Sequence, residues 1–376
     1  MKKIFCLFLT ALFLLGAISS SAASVLESST QNDGITESEV KTIKGQLVAR
    51  EMIDSAESDF SIDLLYNKDD EAEFILAVTS CGYIIYDRTN RDVWECGTVN
   101  PYYNNMAEKK YYCGPMEYYI KNSSSKNENE EFYNVVTNSY AEKLLMSQYL
   151  DSSVNRKNVE SSKGTITKRV QGWSSNIQRR AFGYNERSSC TAVAFGIALN
   201  YIRLKYGLKV VPKIHETMNN GIARNTADLK SKYPNAYSVH LKLLNAIGEE
   251  AIGGNVVKNL ERLYFPKVTP SSQRPTVTAR WWPSFSMIKE NIDANKPVVI
   301  TTTIFGGIQW HSMAVYGYRE VSGTNELLVH TGWHCAPYMK PVYPTGNINE
   351  DEVYHSDFWI NANLARYAYF FTLPNE

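Results

Sequence analysis

The chain has 376 residues, of which 44% are apolar and 21% are charged. This composition excludes an intrinsically disordered protein and suffices for a large buried core. The 39 basic and 39 acidic side chains cancel. Neutrality excludes a polyanion binder that relies on net charge, so no nucleic-acid partner is expected. The length allows two or three domains.

The amino terminus has the pattern of a secretory signal peptide. Lys2 and Lys3 precede an apolar run over residues 4–18, and small residues follow up to Ser24. The run is shorter than the roughly 20 residues that cross a bilayer. A cleaved signal over residues 1–23 is therefore favoured over a membrane anchor. We expect a secreted or cell-surface protein that makes no membrane contact after signal removal.

The next region, residues 24–150, is predicted to be a mixed α and β unit. Its first part is rich in Ser, Thr, Glu and Asn and is predicted to be poorly ordered up to residue 48. The predicted elements are strands at 74–78 and 83–86, with a turn at Cys81-Gly82 between them, and a helix at 132–150.

Residues 151–168 are predicted to form an exposed linker, because they are polar and contain no apolar periodicity. Residues 24–165 contain 24 acidic and 14 basic side chains, a net charge of about −10. Residues 166–376 contain 15 acidic and 23 basic side chains, a net charge of about +8. Opposite net charges favour docking of the two parts; chance composition of two unrelated domains is the alternative.

The strongest helical signal covers residues 190–205. Its side chains are apolar on nearly every face, which is typical of a helix buried at the centre of a domain. Ser188 and Ser189 precede it as N-cap candidates, and Gly207 follows it as a stop signal. Later helices are predicted at 239–248 and 284–294, and strands at 298–303, 312–318, 326–331 and 367–373. Helices followed by an antiparallel sheet predict an α+β fold.

Two residues in this second half have the chemistry of a nucleophile and its base. Cys190 occupies the first turn of the predicted helix, where unpaired N–H groups and the helix dipole favour a thiolate. His311 opens an apolar strand after a glycine turn and can act as general base. His330, at the end of the next strand, is predicted to orient His311, with Trp333 shielding that contact. An inert buried cysteine and structural histidines are the alternatives.

Three segments occur in a meaningful order: Ser189-Cys190-Thr191-Ala192-Val193-Ala194, then Trp310-His311-Ser312-Met313-Ala314-Val315-Tyr316-Gly317-Tyr318, then Val329-His330-Thr331-Gly332-Trp333. Together they resemble the papain-like cysteine peptidases, nearest the secreted bacterial streptopain-like and double-glycine-leader-peptidase-like type. The resemblance covers roughly residues 170–376. It implies a buried central helix carrying the cysteine, packed on an antiparallel sheet carrying the histidine. It also implies a polypeptide substrate, with no metal and no cofactor.

The resemblance also implies how the chain is organised. Residues 24–150 would be a separate N-terminal α+β pro-domain, which is the chain's own partner for the papain-like catalytic domain at 169–376. Removal of the pro-domain is expected near residues 151–170. Trp310 and Trp333 would line the substrate cleft.

Two departures from the family pattern concern the catalytic groups. The third catalytic position, usually Asn or Asp, is His330 here. The side chain of the oxyanion hole, usually Gln, has no clear match, and Gln178 and Asn185 are the candidates. The main-chain N–H of Cys190 would supply one oxyanion donor in either case.

Other cysteines and histidines invite different interpretations. Cys113 precedes Gly-Pro as in some relatives, but no buried helix follows it. Cys81, Cys96 and Cys113 are interpreted as structural thiols, or as one disulfide plus a spare thiol, and their pairing with Cys335 is left open. A zinc site is disfavoured because glycine and proline place the clustered residues in a loop. The residues in question are His330, His334, Cys335 and His355.

Three functions therefore stay open. The first is a secreted cysteine peptidase made as a zymogen. The second is an acyl transferase of the transglutaminase type, which transfers the acyl group to an amine instead of water. The third is a catalytically inactive, papain-like secreted binding protein.

Overall fold

A computed structural model describes residues 34–54, 59–98, 100–105, 109–115, 117–121, 132–135, 139–141, 166–173, 177, 189–212, 226–249, 251–304, 309–332, 358–374 and 376. The predicted signal peptide and most of the predicted linker lie outside these residues. Within them, no helix combines the length and apolar character needed to span a bilayer.

The described chain is a mixed α+β structure built on a large, mostly antiparallel sheet. The strands are β1 (Ser61–Tyr66), β2 (Ala72–Thr79), β3 (Gly82–Asp87), β4 (Asp92–Gly97), β5 (Lys110–Tyr112), β6 (Tyr118–Lys121), β7 (Phe132–Asn134), β8 (Ser139–Ala141), β9 (Ile166–Arg169), β10 (Thr276–Trp281), β11 (Val298–Ile304), β12 (Gln309–Val321), β13 (Thr324–His330), β14 (Phe358–Asn361) and β15 (Tyr367–Thr372). The helices are α1 (Glu37–Ala49), α2 (Cys190–Tyr206), α3 (Thr226–Lys232), α4 (Pro234–Ile247), α5 (Gly254–Asn259), α6 (Phe265–Val268) and α7 (Phe285–Asp293). A π-helical turn, Leu260–Tyr264, joins α5 to α6. The predicted α+β class is confirmed.

The sheet runs from one half of the sequence into the other. Its strand order is β10-β15-β11-β12-β13-β14-β4-β3-β2-β1-β5-β6-β7-β8, and β9 pairs with β12. β14 pairs with β13 on one side and with β4 on the other. The described residues from Ile43 onward form one compact unit, and those up to Thr42 belong to another. The N-terminal and C-terminal regions, predicted as separate domains, therefore share a sheet.

The polar segment predicted to be poorly ordered contains α1, so that prediction is wrong for the described residues from Glu37 onward. Thr36 and Glu39 form a reciprocal cap: Thr36 Oγ1 accepts from the Glu39 N–H at 3.2 Å, and the Thr36 N–H donates to Glu39 Oε2 at 2.8 Å. Ile43 and Leu47, one turn apart, are fully buried. The cap and this apolar pair together stabilise the helix.

The strand predictions for residues 74–78 and 83–86 are confirmed by β2 and β3. The helix predicted at 132–150 is wrong where the chain is described, because β7 and β8 form an antiparallel pair there. β7 also pairs with β6. Aromatic and β-branched residues in this segment suit strand pairing better than a helix.

Helix α2 confirms the central prediction of the sequence. Residues 190–202 are all buried, and the helix packs on β11, β12 and α4. Gly207 ends it in a left-handed conformation with φ 72°, and its N–H donates to the Arg203 carbonyl at 2.9 Å. Ser189 occupies the N-cap position, but its side chain makes no capping hydrogen bond. The later helices and strands predicted in this half are confirmed by α4, α7, β11, β12, β13 and β15.

A buried carboxylate lies on β4, the strand of the N-terminal region that pairs with β14. Glu95, on β4, is 1% exposed and accepts hydrogen bonds from the hydroxyls of Tyr83 at 2.8 Å and Tyr112 at 3.0 Å. The Tyr118 hydroxyl also donates to it. Burial raises the pKa of Glu95 to about 7, although the three hydroxyls oppose the shift.

This carboxylate makes stability depend on pH. A raised pKa means that the folded chain binds the proton more tightly than the unfolded chain, so stability falls as pH rises from about 4.5 to about 7. The shift of Glu95 corresponds to roughly 3 kcal/mol. We expect Glu95→Gln to flatten this part of the dependence, as measured by urea unfolding between pH 5 and pH 8. An unchanged slope in the variant would refute the assignment. A smaller slope is expected to persist, because burial also raises the pKa of Glu117, to about 8.

Candidate active site

The nucleophile candidate occupies the first position of α2. Cys190 is 6% exposed, and Ser189 before it is also buried. The first N–H groups of an α-helix have no partner within the helix, so they point to the space in front of Cys190. The fold thus supplies main-chain donors beside the sulfur.

The start of β12 lies against this helix end. The Cys190 Sγ is 3.7 Å from the carbonyl oxygen of Trp310. The main-chain N–H of Ser312 and the hydroxyls of Thr191 and Ser312 also face the sulfur. Two β12 residues that contact Cys190 therefore flank His311 in sequence.

A chain of buried hydroxyls lies next to the Cys190 sulfur. Thr191 Oγ1 donates to the Ala251 carbonyl at 3.0 Å and lies 2.9 Å from Ser312 Oγ. Ser312 Oγ in turn lies 3.0 Å from Thr301 Oγ1. Because Thr191 has a single hydroxyl proton, it accepts from Ser312, and Ser312 accepts from Thr301. The network links α2, β11 and β12 around the candidate nucleophile.

Burial raises the pKa of the Cys190 thiol. The hydrogen bonds from Ser312 and Thr191 act in the opposite direction but do not outweigh burial. The sequence predicted a thiolate favoured by the helix entrance. In the structure the loss of water around Cys190 dominates, and the thiol is protonated at neutral pH.

His311 is 1% exposed and its Nε2 lies 2.8 Å from the carbonyl oxygen of Thr331. A carbonyl can only accept, so Nε2 donates the proton and Nδ1 is the basic nitrogen of the neutral ring. Burial lowers the pKa of His311 to about 4, and the bond to Thr331 partly offsets this. The imidazole is therefore uncharged at neutral pH and its tautomer is fixed.

The orienting acceptor differs from the one predicted. The far nitrogen of His311, expected to meet the His330 side chain, instead meets the Thr331 main chain. The Nδ1 of His330 accepts from the Gly332 N–H at 3.1 Å. Burial lowers the pKa of His330 to about 4, which keeps it an acceptor at neutral pH. His330 thus holds the turn that contains the Thr331 carbonyl.

This turn packs directly on α2. Gly332 has φ +84°, and a side-chain carbon there would lie 3.0 Å from Cγ1 of Val193. Only glycine combines this backbone conformation with such a close approach. The first turn of α2, the start of β12 and the end of β13 therefore meet at one place.

Aromatic side chains form a cluster beside the start of β12. Trp310, predicted to line the cleft, packs edge-on against Trp281 with ring centroids 5.8 Å apart. Trp281 also packs on Tyr367 at 4.8 Å. Trp281 and Trp282 are 55% and 57% exposed, and Trp282 has φ +51°. The adjacent tryptophans were visible in the sequence, but nothing there linked them to Trp310.

The remaining predicted site residues, Gln178, Asn185 and Trp333, lie outside the described residues. Cys81 is exposed at the turn between β2 and β3, whereas Cys96 and Cys113 are buried, and all three are free thiols. Strand β6, not a helix, follows Cys113. Burial raises the pKa of the Cys113 thiol. Within the described part of the chain, no group of His, Cys, Asp and Glu side chains has the arrangement of a metal site.

Comparison with known proteins adds no identity. No protein-family model matches the chain, and no curated protein sequence matches it.

The hydroxyl chain predicts a measurable change at Cys190. Ser312→Ala removes a hydroxyl that faces the sulfur and can turn to donate to the thiolate, so the thiol pKa is expected to rise. The pH dependence of Cys190 alkylation by iodoacetamide measures it. Thr302→Val, on the neighbouring strand, is the control and should leave this pKa unchanged. Equal values in the wild type and Ser312→Ala would exclude the hydroxyl from thiolate stabilisation.

The turn after β13 predicts a difference between two substitutions of His330. Asn can accept from the N–H two residues ahead, whereas Ala cannot. We expect His330→Asn to preserve the Nε2-protonated tautomer of His311, and His330→Ala to give a mixture. Nitrogen-15 NMR of the imidazoles distinguishes these outcomes. An unaltered tautomer in His330→Ala would show that the turn does not depend on this side chain.

Proposed function

We propose that the chain is a cysteine peptidase in which Cys190 is the nucleophile and His311 is the general base. One observation carries the proposal. The Cys190 sulfur, at the entrance of a buried helix, lies 3.7 Å from the main chain of the residue that precedes His311. The sequence resemblance to papain-like peptidases supports the same pairing.

Acylation would begin with a neutral pair. As the sulfur attacks the carbonyl carbon of the scissile peptide, Nδ1 of His311 would take the thiol proton. The C–S bond forms while the carbonyl π bond opens, and the negative charge moves to oxygen. The main-chain N–H of Cys190 would stabilise this oxyanion. The bond to the Thr331 carbonyl supports the imidazolium, because its Nε2–H points at an acceptor throughout.

Collapse of the intermediate would break the C–N bond, and the imidazolium would return its proton to the leaving amine. Water would then attack the thioester, with His311 again accepting a proton. The C–S bond then breaks and releases the acid, and the imidazolium returns its proton to the Cys190 sulfur. Each step uses one nucleophile and one base, so no cofactor is required by the chemistry.

One alternative is favoured by a specific observation. The raised pKa of Cys190 and the lowered pKa of His311 disfavour a thiolate–imidazolium pair at rest. In an inactive papain-like binding protein, the thiol and the imidazole would stay uncharged at all times. In an active peptidase, the proton transfer accompanies attack on the substrate. A transglutaminase-type acyl transferase shares acylation and differs only in its amine acceptor.

By the same resemblance, we propose that the protein is secreted, with residues 1–23 removed, and acts on polypeptides. Residues 24–150 would occupy the sequence position of the pro-domain of these peptidases, with cleavage in the linker that follows them. Strand β9, within the predicted removal region, pairs with β12, and the Val170 N–H donates to the Tyr316 carbonyl at 2.9 Å. This pairing favours processing before Ile166.

A peptide-based electrophile that reacts with thiols tests the assignment. In a Cys81→Ser background, we expect it to label Cys190, as measured by mass spectrometry. His311→Ala should slow labelling by about 100-fold or more, because general-base catalysis contributes at least that factor. Cys113→Ser is the matched control and should label normally.

Processing gives a second measurement on the same precursor. Cys190→Ser is nearly isosteric and should leave folding intact while abolishing cleavage of peptide substrates and any self-cleavage. Absence of labelling at Cys190 in the wild type would overturn the peptidase proposal in favour of the inactive scaffold. Release of cross-linked amine product in place of cleaved peptide would favour the acyl transferase.

A further inference from the structure

The contact between the two halves of the sequence is a strand pair at the centre of the sheet. β4 and β14 are antiparallel, with Trp359 opposite Cys96 and Ile360 opposite Glu95. Phe358, also on β14, is buried with them. Without β4, this strand would become a sheet edge that exposes apolar side chains and unpaired main-chain groups, which invites aggregation. We call this contact the β4–β14 junction.

Buried charges cross the junction. Glu326, on β13, is 1% exposed and is bound by Arg50 at 2.5 Å and by Arg319 at 2.5 Å. Arg319 also donates to Cys96 Sγ at 2.7 Å and lies over the Trp359 ring, 4.2 Å from its centroid. The sulfur and the aromatic face thus support the second guanidinium.

In this contact, each charged side chain has the opposite sign to the net charge of the region it belongs to. Arg50 belongs to the acidic N-terminal region, and Glu326 belongs to the basic C-terminal region. Burial alone would raise the pKa of Glu326, but the two guanidiniums outweigh it and hold the pKa below its ordinary value. A carboxylate this deeply buried needs its cations, so loss of Arg50 would leave a poorly compensated charge.

A second polar contact lies at the end of the junction. Asp92, on β4, accepts from the Asn361 amide at 3.0 Å and from the Thr324 hydroxyl. The Asn361 amide also donates to the Val93 carbonyl at 3.1 Å. One N-terminal strand therefore holds both β13 and β14.

From these contacts, we propose that the N-terminal region is a permanent part of the folded protein. Cleavage of the linker would then give a two-fragment molecule held together by the β4–β14 junction and the buried Arg50–Glu326–Arg319 cluster. The N-terminal fragment would not leave as a free pro-domain. The inference concerns association of the fragments, so it stands or falls independently of the peptidase proposal.

The test uses the full chain with a site-specific protease sequence inserted between residues 155 and 156, in a Cys190→Ala background that excludes self-cleavage. After cutting, size-exclusion chromatography is run at about 10 µM and at about 100 nM. We expect the two fragments to elute together at both concentrations and to separate in urea. Elution of separate fragments in native buffer would overturn the proposal.

Matched variants identify the source of the association. Arg50→Met removes the buried cation, and we expect the dissociation constant of the two fragments to rise by about tenfold or more. Lys109→Met removes the exposed ion pair with Asp70 in the same region. This variant should change the dissociation constant by less than about twofold. Equal dissociation constants for the two variants would refute the role of the cluster. Should Arg50→Met fail to fold, Asp92→Ala, which removes the second polar contact, should weaken association similarly and is judged against the same control.

Discussion

Burial at the first turn of α2 and the start of β12 determines the protonation states of Cys190 and His311. Cys190, in the first turn of α2, is 6% exposed and His311 is 1% exposed, so water is largely removed from both side chains. Desolvation disfavours both the thiolate and the imidazolium, so the two groups rest uncharged. A solvated helix entrance would favour the charged sulfur, whereas this one favours the neutral thiol.

The proposed pairing of Cys190 with His311 demands fixed geometry, because no electrostatic attraction would hold a neutral thiol against a neutral imidazole. The structure meets this demand with main-chain groups and small hydroxyls. The Thr331 carbonyl fixes the imidazole tautomer, and the main-chain N–H groups of Ser312 and Thr191 face the sulfur. The hydroxyls of these two residues can turn toward a developing negative charge only by giving up the hydrogen bonds they donate at rest, so ionisation depends on the event that creates the charge.

The large elements were predictable because their signals are local. The apolar faces of α2, its stop at Gly207 and the strands around His311 all follow from periodicity and turn residues. The capping pair at Thr36 and Glu39 is equally local, but it lies in a polar segment whose composition predicts poor order. The sequence predicts a helix at 132–150, because the pairing of β7 with β6 is a non-local contact that local patterning does not reveal. The role of Thr331 was unpredictable, since a carbonyl oxygen has no residue signature, and the direction of the Cys190 shift depends on burial.

β13 connects the buried Arg50–Glu326–Arg319 cluster with the candidate active site. Glu326 lies near the start of the strand and His330 at its end, four residues or about 13 Å apart. The cations from the N-terminal region and from β12 fix the first position, while the turn packed on Val193 fixes the second. Because a strand paired on both sides moves as a unit, the N-terminal region helps to set the position of the carbonyl that orients His311.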